Sequence, residues 1–202
     1  MCIRDRVSRI PAQKIEERKM TAGQWIIAFL MCYGLMYAGN LIGTALTFGI
    51  GMVKGTGVDN PLVSTVMQLN PWVTFVIAVL IAPTAEELLF RKLLTERIVK
   101  YGELTAVLAS GLFFGLFHGN LNQFSYAFLL GLFLGFIYVK TGKLRYTIGL
   151  HMAINFIGSS LGTWMLRVTG YMDTMETLTE FLNTKNLEVL ADLGNGCLLY
   201  TS

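Results

Sequence analysis

Four ionisable side chains stand where apolar sequence would not be expected to carry them. Glu86 and Glu87 are adjacent, and His118 and His151 are the only two histidines of the chain; all four lie within or at the edge of long apolar runs. Ionisable groups in such runs are costly, rare and usually functional. Carboxylate and imidazole together can activate water and move its proton, and Glu with two His is equally a respectable zinc-ligand set. Spacing adds to this. Glu87 and Arg91 are four apart with the acid first, the favourable order for a helical ion pair, so Arg91 is expected to hold Glu87 ionised and leave Glu86 free for chemistry. A plain interfacial ion pair is an equal reading of those two residues, and such a pair can also scaffold a site. Phe114 with His118, and His151 with Asn155, are likewise four apart and share a helix face.

The elements that must position these groups follow from composition. The chain has 202 residues, 53% hydrophobic and 14% charged, with a mean hydropathy of +0.55. That is far more apolar than an ordinary soluble domain, so the bilayer is the first solvent to consider. The formal charge is +3, but the basic residues sit in short clusters between apolar runs, the pattern of membrane topology, which sets nucleic-acid binding aside. With about 20 helical residues needed to cross an apolar layer about 30 Å thick, five segments can be drawn: Trp25 to Val53, Trp72 to Phe90, Leu104 to His118, Phe124 to Val139 and Tyr146 to Leu166. The third and fourth are short unless their flanks continue as helix. The expected fold is all-α, a polytopic transmembrane bundle of about five helices forming one membrane-embedded domain over residues 7–196.

Loop charge orients the bundle, because Lys and Arg are enriched on the cytoplasmic side. Arg9, Lys14, Arg18 and Lys19 precede the first segment; Arg91, Lys92, Arg97 and Lys100 follow the second; Lys140, Lys143 and Arg145 separate the fourth and fifth. The other loops offer Lys54, nothing, and Arg167 followed by Asp173, Glu176 and Glu180. The N-terminal side is therefore expected in the cytoplasm and the chain after Arg167 outside, in what is expected to be a bacterial plasma membrane. Segment 170–196 reads as an external amphipathic helix or an incomplete loop.

Depth then brings the polar groups together. The second and third segments form a hairpin turning near Tyr101 and Gly102, with helix continuing through LLTERIVK. Glu86 lies sixteen positions before Gly102 and His118 sixteen after it, so an antiparallel hairpin sets them level. With Arg91 at the cytoplasmic interface, that level is roughly 8 Å into the core at a rise of about 1.5 Å per residue. His151 lies nine positions beyond the turn at Gly142, roughly 13 Å above it. Three helices thus deliver polar groups to one layer, and the site is expected to open towards the cytoplasm.

Small residues recur every four positions at Gly111, Gly115 and Gly119, and again at Gly131 and Gly135. That spacing lets helix backbones approach closely in lipid, although glycine is common in membrane helices generally. The tails differ in kind. MCIRD and CLLYTS can be encoded by DNA strings that are reverse complements over their shared length and resemble a transposon-end sequencing adapter. Met1 to Arg6 and Cys197 to Ser202 are therefore expected to be translated adapter, with the native chain open at both ends. Cys32 is then the one native cysteine, implying neither a disulfide nor a metal cluster.

EELLFR at Glu86 to Arg91, FGLFH at Phe114 to His118 and HMAIN at His151 to Asn155 resemble the three ordered motifs, EExxxR, FxxxH and HxxxN, of the CAAX protease and bacteriocin-processing family of intramembrane endopeptidases. The resemblance spans about Trp72 to Leu166 without departure at a motif position. It implies Glu86 as general base, His118 positioning and polarising the water, His151 and Asn155 donating to the oxyanion, and Glu87, Arg91 and Phe114 in support. It also implies a peptide or a lipidated or membrane-anchored protein as substrate.

A metal-free glutamate mechanism is the expectation, with no cofactor; the alternative is zinc held by Glu86, His118 and His151. Two other classes compete. One is a catalytically silent scaffold or immunity protein of the same fold, whose mark would be a lost motif residue. The other is a proton-coupled transporter, whose mark would be an inverted repeat or a broken helix pair. The metal-free expectation predicts that peptide cleavage by the purified protein persists in a chelator. Loss in chelator with recovery on adding zinc would assign the zinc alternative.

Overall fold

The computed structural model describes residues 11–55 and 69–170, which are helices and their connections with no strand among them. Five helices follow one another. Helix α1 is Ala22–Lys54 and α2 is Pro71–Tyr101. Helix α3 is Glu103–Phe117 and α4 is Leu121–Thr141. Helix α5 runs through Leu144–Asn155, Phe156–Leu161 and Gly162–Val168.

Local sequence accounts for the boundaries. Thr21 and Gln24 make a reciprocal capping box that starts α1, and Gly55 ends it in the left-handed conformation. Asn70 caps α2, with Pro71 at its first position, where no amide hydrogen is needed. The two expected hairpin turns fall at Gly102 and Gly142, whose φ angles of 116° and 61° would strain a residue with a side chain.

Among the described residues α1, α2 and α4 are long and apolar enough to cross a membrane, and the chain is an integral membrane protein. Large apolar side chains such as Leu41, Phe48, Trp72 and Leu104 face outward, as lipid-facing surfaces require. The expected extension of the short segments is half realised. The fourth grows to 21 residues, but α3 stops at 15 residues, about 22 Å at the helical rise. His118 is consequently the C-cap of α3, not a mid-helix residue.

Helix α4 is the hub. Its most extensive interface is with α3, followed by that with α1. Ala28, Cys32, Leu130, Leu134, Leu150 and Ile154 join α1, α4 and α5 in one apolar core, and Phe90, Phe114 and Ala127 join α2, α3 and α4 in another. Glycine makes these approaches close. A Cβ at Gly131 would lie 2.9 Å from Phe114 Cδ1 and 3.1 Å from Gly111 Cα. Gly115 is similarly tight against Phe124 and Phe128, whereas Gly135 has ordinary clearance and Gly119 serves the turn after His118. On α1, Gly39 lies against the backbone of Tyr126 and Gly43 against that of Asn122.

Two helices depart from α geometry where the polar residues lie. In α2 the α-helical turn Ala82–Glu87 is bracketed by π-helical stretches at Phe75–Ile81 and Leu88–Thr95. In α5 a third such stretch, Phe156–Leu161, follows directly on Asn155. Wide turns of this kind re-aim side chains and cluster at functional sites.

Residues 11–20 run as a non-helical strap along the end of the bundle that carries the basic clusters. Gln13 N–H donates to Glu96 O at 2.7 Å, Arg18 N–H to Thr141 O at 2.9 Å, and Met20 N–H to Tyr146 Oη at 3.2 Å. The expected adapter tails and the segment beyond Gly170 lie outside the described residues.

Close packing at Gly39 has a measurable consequence. Gly39→Ala should destabilise the protein in detergent by about 1 to 3 kcal/mol through overpacking. Gly34→Ala, on the same helix with nothing within 4 Å of the added carbon, should be neutral or stabilising. Thermal unfolding of both variants checks the contrast.

Candidate active site

The centre of the site is a buried charge pair. Arg91 Nε lies 3.0 Å from Glu87 Oε2, with both side chains wholly inaccessible. At the level that the sequence sets for the membrane interface, Arg91 is enclosed by the bundle. Its Nη1 donates to Ser110 Oγ of α3 at 2.7 Å, and its guanidinium lies 5.1 Å from the centroid of the Phe114 ring. A desolvated cation needs both kinds of partner, a hydrogen-bond acceptor and a π face.

Helix α5 completes the cluster through His151. Its Nδ1 is 3.0 Å from Glu87 Oε1. An ionised carboxylate can only accept, so Nδ1–H is the donor. The other ring nitrogen, Nε2, faces Glu86 Oε2 at 3.6 Å. That separation is too long for a direct hydrogen bond, and it leaves both atoms with capacity for a third.

The two glutamates are thereby distinguished. Glu87 is sealed between Arg91 and His151, while Glu86 keeps 18% of its side chain accessible. A carboxylate that must meet water has to be the accessible one.

His118 closes the site from α3. Its Nδ1 donates to Phe114 O at 2.9 Å, which in the neutral ring leaves the Nε2 lone pair free. Phe114 stands between the imidazoles, with ring centroids 5.0 Å from His118 and 5.5 Å from His151. Both imidazoles lie within electrostatic range of the Glu86 carboxylate. The helix-level estimate thus brought together Glu86, Glu87, His118 and His151, with Arg91 and Phe114 joining them.

Asn155 is placed differently from the role its motif implies. Its Nδ2 donates to Ala78 O of α2 at 2.9 Å, a backbone partner outside the carboxylate cluster. Among the described residues no three His, Cys, Asp or Glu side chains form a set able to hold a metal ion.

Three residues escaped the sequence reading. Ser110 and Thr147 are fully buried, Ser110 against Arg91 and Thr147 beside Glu87. Each stands four positions before a motif residue, Phe114 or His151, and so shares its helix face. Extending the motifs back one turn would have found both. Tyr126 of α4 lies 6.2 Å from His118, ring to ring, and no spacing on its own helix points to it.

The all-helical bundle thus gathers a sealed ion pair, a second, accessible glutamate and two imidazoles in one place. Residues 68–157, from the start of α2 to just past Asn155, match the family described as Type II CAAX prenyl endopeptidase Rce1-like. This segment holds all three motifs, and its match supports the CAAX protease family of intramembrane endopeptidases. No curated protein and no solved structure gives a match. Helix α1 lies outside the matched segment, although it packs on α4 and α5.

The charge pair yields a prediction about stability. Arg91→Met leaves Glu87 buried without its cation and should cost about 3 to 5 kcal/mol. The double variant Glu87→Gln with Arg91→Met should recover part of that loss. Unfolding midpoints of the three proteins in the same detergent make the comparison.

Proposed function

We propose that this protein hydrolyses peptide bonds of membrane-associated proteins or peptides, with Glu86 as the base that activates water. The observation that carries the reading is the division of labour between the adjacent glutamates: Glu87 is occupied by Arg91 and His151, and Glu86 is accessible and faces His151 Nε2.

The chemistry follows from the free atoms. Glu86 takes one hydrogen of a water molecule, and the His118 Nε2 lone pair accepts the other. The water oxygen then attacks the carbonyl carbon, and the carbonyl π electrons move onto oxygen as an oxyanion. His151, oriented by Glu87 through Nδ1, is assigned as the donor to that oxyanion through Nε2, a role that requires a hydrogen on both ring nitrogens at that step. Collapse of the tetrahedral intermediate expels the amine, which takes the proton from Glu86. The second water hydrogen leaves the product acid by way of His118 Nε2 for the departing amine, so the products are a carboxylate and an ammonium, and the site returns to its starting protonation.

The substrate is proposed as a lipidated or membrane-anchored chain, in keeping with the description of the matched family. Orientation is part of the proposal. The basic clusters Lys14, Arg18 and Lys19, Arg97 and Lys100, and Lys140, Lys143 and Arg145 mark the cytoplasmic end, from which substrate enters.

A farnesylated, internally quenched CAAX peptide tests the proposal with protein reconstituted in liposomes. Glu86→Gln and His118→Ala should each reduce cleavage at least about 100-fold while the protein still inserts and unfolds at an unchanged midpoint. Undiminished turnover in either variant would sink the assignment.

A further inference from the structure

The Asn155 hydrogen bond has a cause in the sequence of α2. In a regular helix the Ala78 carbonyl would accept from the amide of residue 82, and in a π-helical turn from that of residue 83. The Ala82 amide is used elsewhere, donating to Ile77 O. Residue 83 is a proline and has no amide hydrogen. The carbonyl is therefore left without a helical donor in an apolar interior, where an unpaired backbone group is costly. Asn155 supplies the missing donor from α5, at 2.9 Å.

The position of this bond matters to the chemistry. Pro83 lies three residues before Glu86, and Asn155 lies one turn beyond His151. Helices α2 and α5 are thus tied twice, at Glu87 to His151 and at Ala78 to Asn155. Two ties along one interface fix both the rotation and the sliding of α5 against α2. Without the second tie α5 is held against α2 at this level by packing alone, and a small rotation about Glu87 moves His151 Nε2 relative to Glu86 Oε2.

We infer that Asn155 is a positioning residue: its side-chain amide replaces the hydrogen bond that Pro83 removes from α2, and so holds His151 in register with Glu86. The inference depends on the proposed peptidase activity only for its kinetic test. The wide turns of α2 and α5 meet at this bond, with Phe75 and Phe156 packed edge to face at 6.2 Å beside it. An irregular helix with a proline is what makes a side-chain donor necessary there.

The experiment compares wild type, Asn155→Ala, Pro83→Ala and the double variant, by cleavage of the farnesylated quenched peptide and by amide hydrogen exchange of residues 79–87. Asn155→Ala should lower kcat about 100-fold with KM within about twofold of wild type, and should speed exchange in that stretch. Pro83→Ala restores an amide hydrogen five residues after Ala78, so the double variant should regain most of the lost kcat and exchange protection. A group that touches the oxyanion could not be replaced in this way. A double variant as inactive as Asn155→Ala, beside an active Pro83→Ala, would overturn the inference, as would unchanged kcat or unchanged exchange in Asn155→Ala. Should Pro83→Ala fail to fold, exchange and the kcat-to-KM split in Asn155→Ala decide. Should wild type not cleave the peptide, the peptidase proposal falls, and exchange still decides whether the tie exists.

Discussion

Burying an ion pair is the constraint around which this molecule is arranged. Glu87 and Arg91 have no accessible surface, and removing two charges from water costs several kcal/mol per ion before any attraction is counted. One ion pair four residues apart on a single helix cannot satisfy a carboxylate and a guanidinium that carry further lone pairs and hydrogens. Part of the remaining capacity is met by Ser110 and the Phe114 ring on α3, and by His151 on α5. Three helices are thereby held in one register, because each contributes a partner that the charges cannot do without.

The same arrangement separates the roles of two chemically identical neighbours. Glu86 and Glu87 differ by about 100° around α2, so one faces the sealed interior and the other a partly open space. Their surroundings do the rest. His151 bridges the two, using one ring nitrogen for structure and presenting the other to Glu86. A site of this kind is preorganised by the interactions that make the bundle stable, with little of its geometry left to flexible loops. Close helix contact at Gly111, Gly131 and Gly39 serves the same end, since it lets α4 support α3 and α1 without bulky side chains between them.

Much of this was legible in the sequence, and for identifiable reasons. Membrane-length hydrophobic runs, alternating basic loops and two glycine turns specify the helices and hairpins, because backbone groups in lipid have to be satisfied within the helix. Ionisable residues in those runs are conspicuous, so Glu86, Glu87, Arg91, His118 and His151 could be selected from composition and spacing alone. Counting residues from Gly102 and Gly142 set them at one level, because the helical rise is nearly constant. The family resemblance rested on these residues together with Phe114 and Asn155.

What only the tertiary structure decided concerns direction and partnership. That Arg91 points inward, that α3 ends at His118, and that Ser110 and Tyr126 border the site depend on how helices rotate against one another. A residue count fixes height along a helix, but π-helical turns shift the rotation, and three of them lie beside the site. The destination of Asn155 illustrates the limit. Its spacing from His151 was evident, yet its partner is a carbonyl 77 positions away, left open by a proline whose missing hydrogen becomes a demand only once α5 lies against α2.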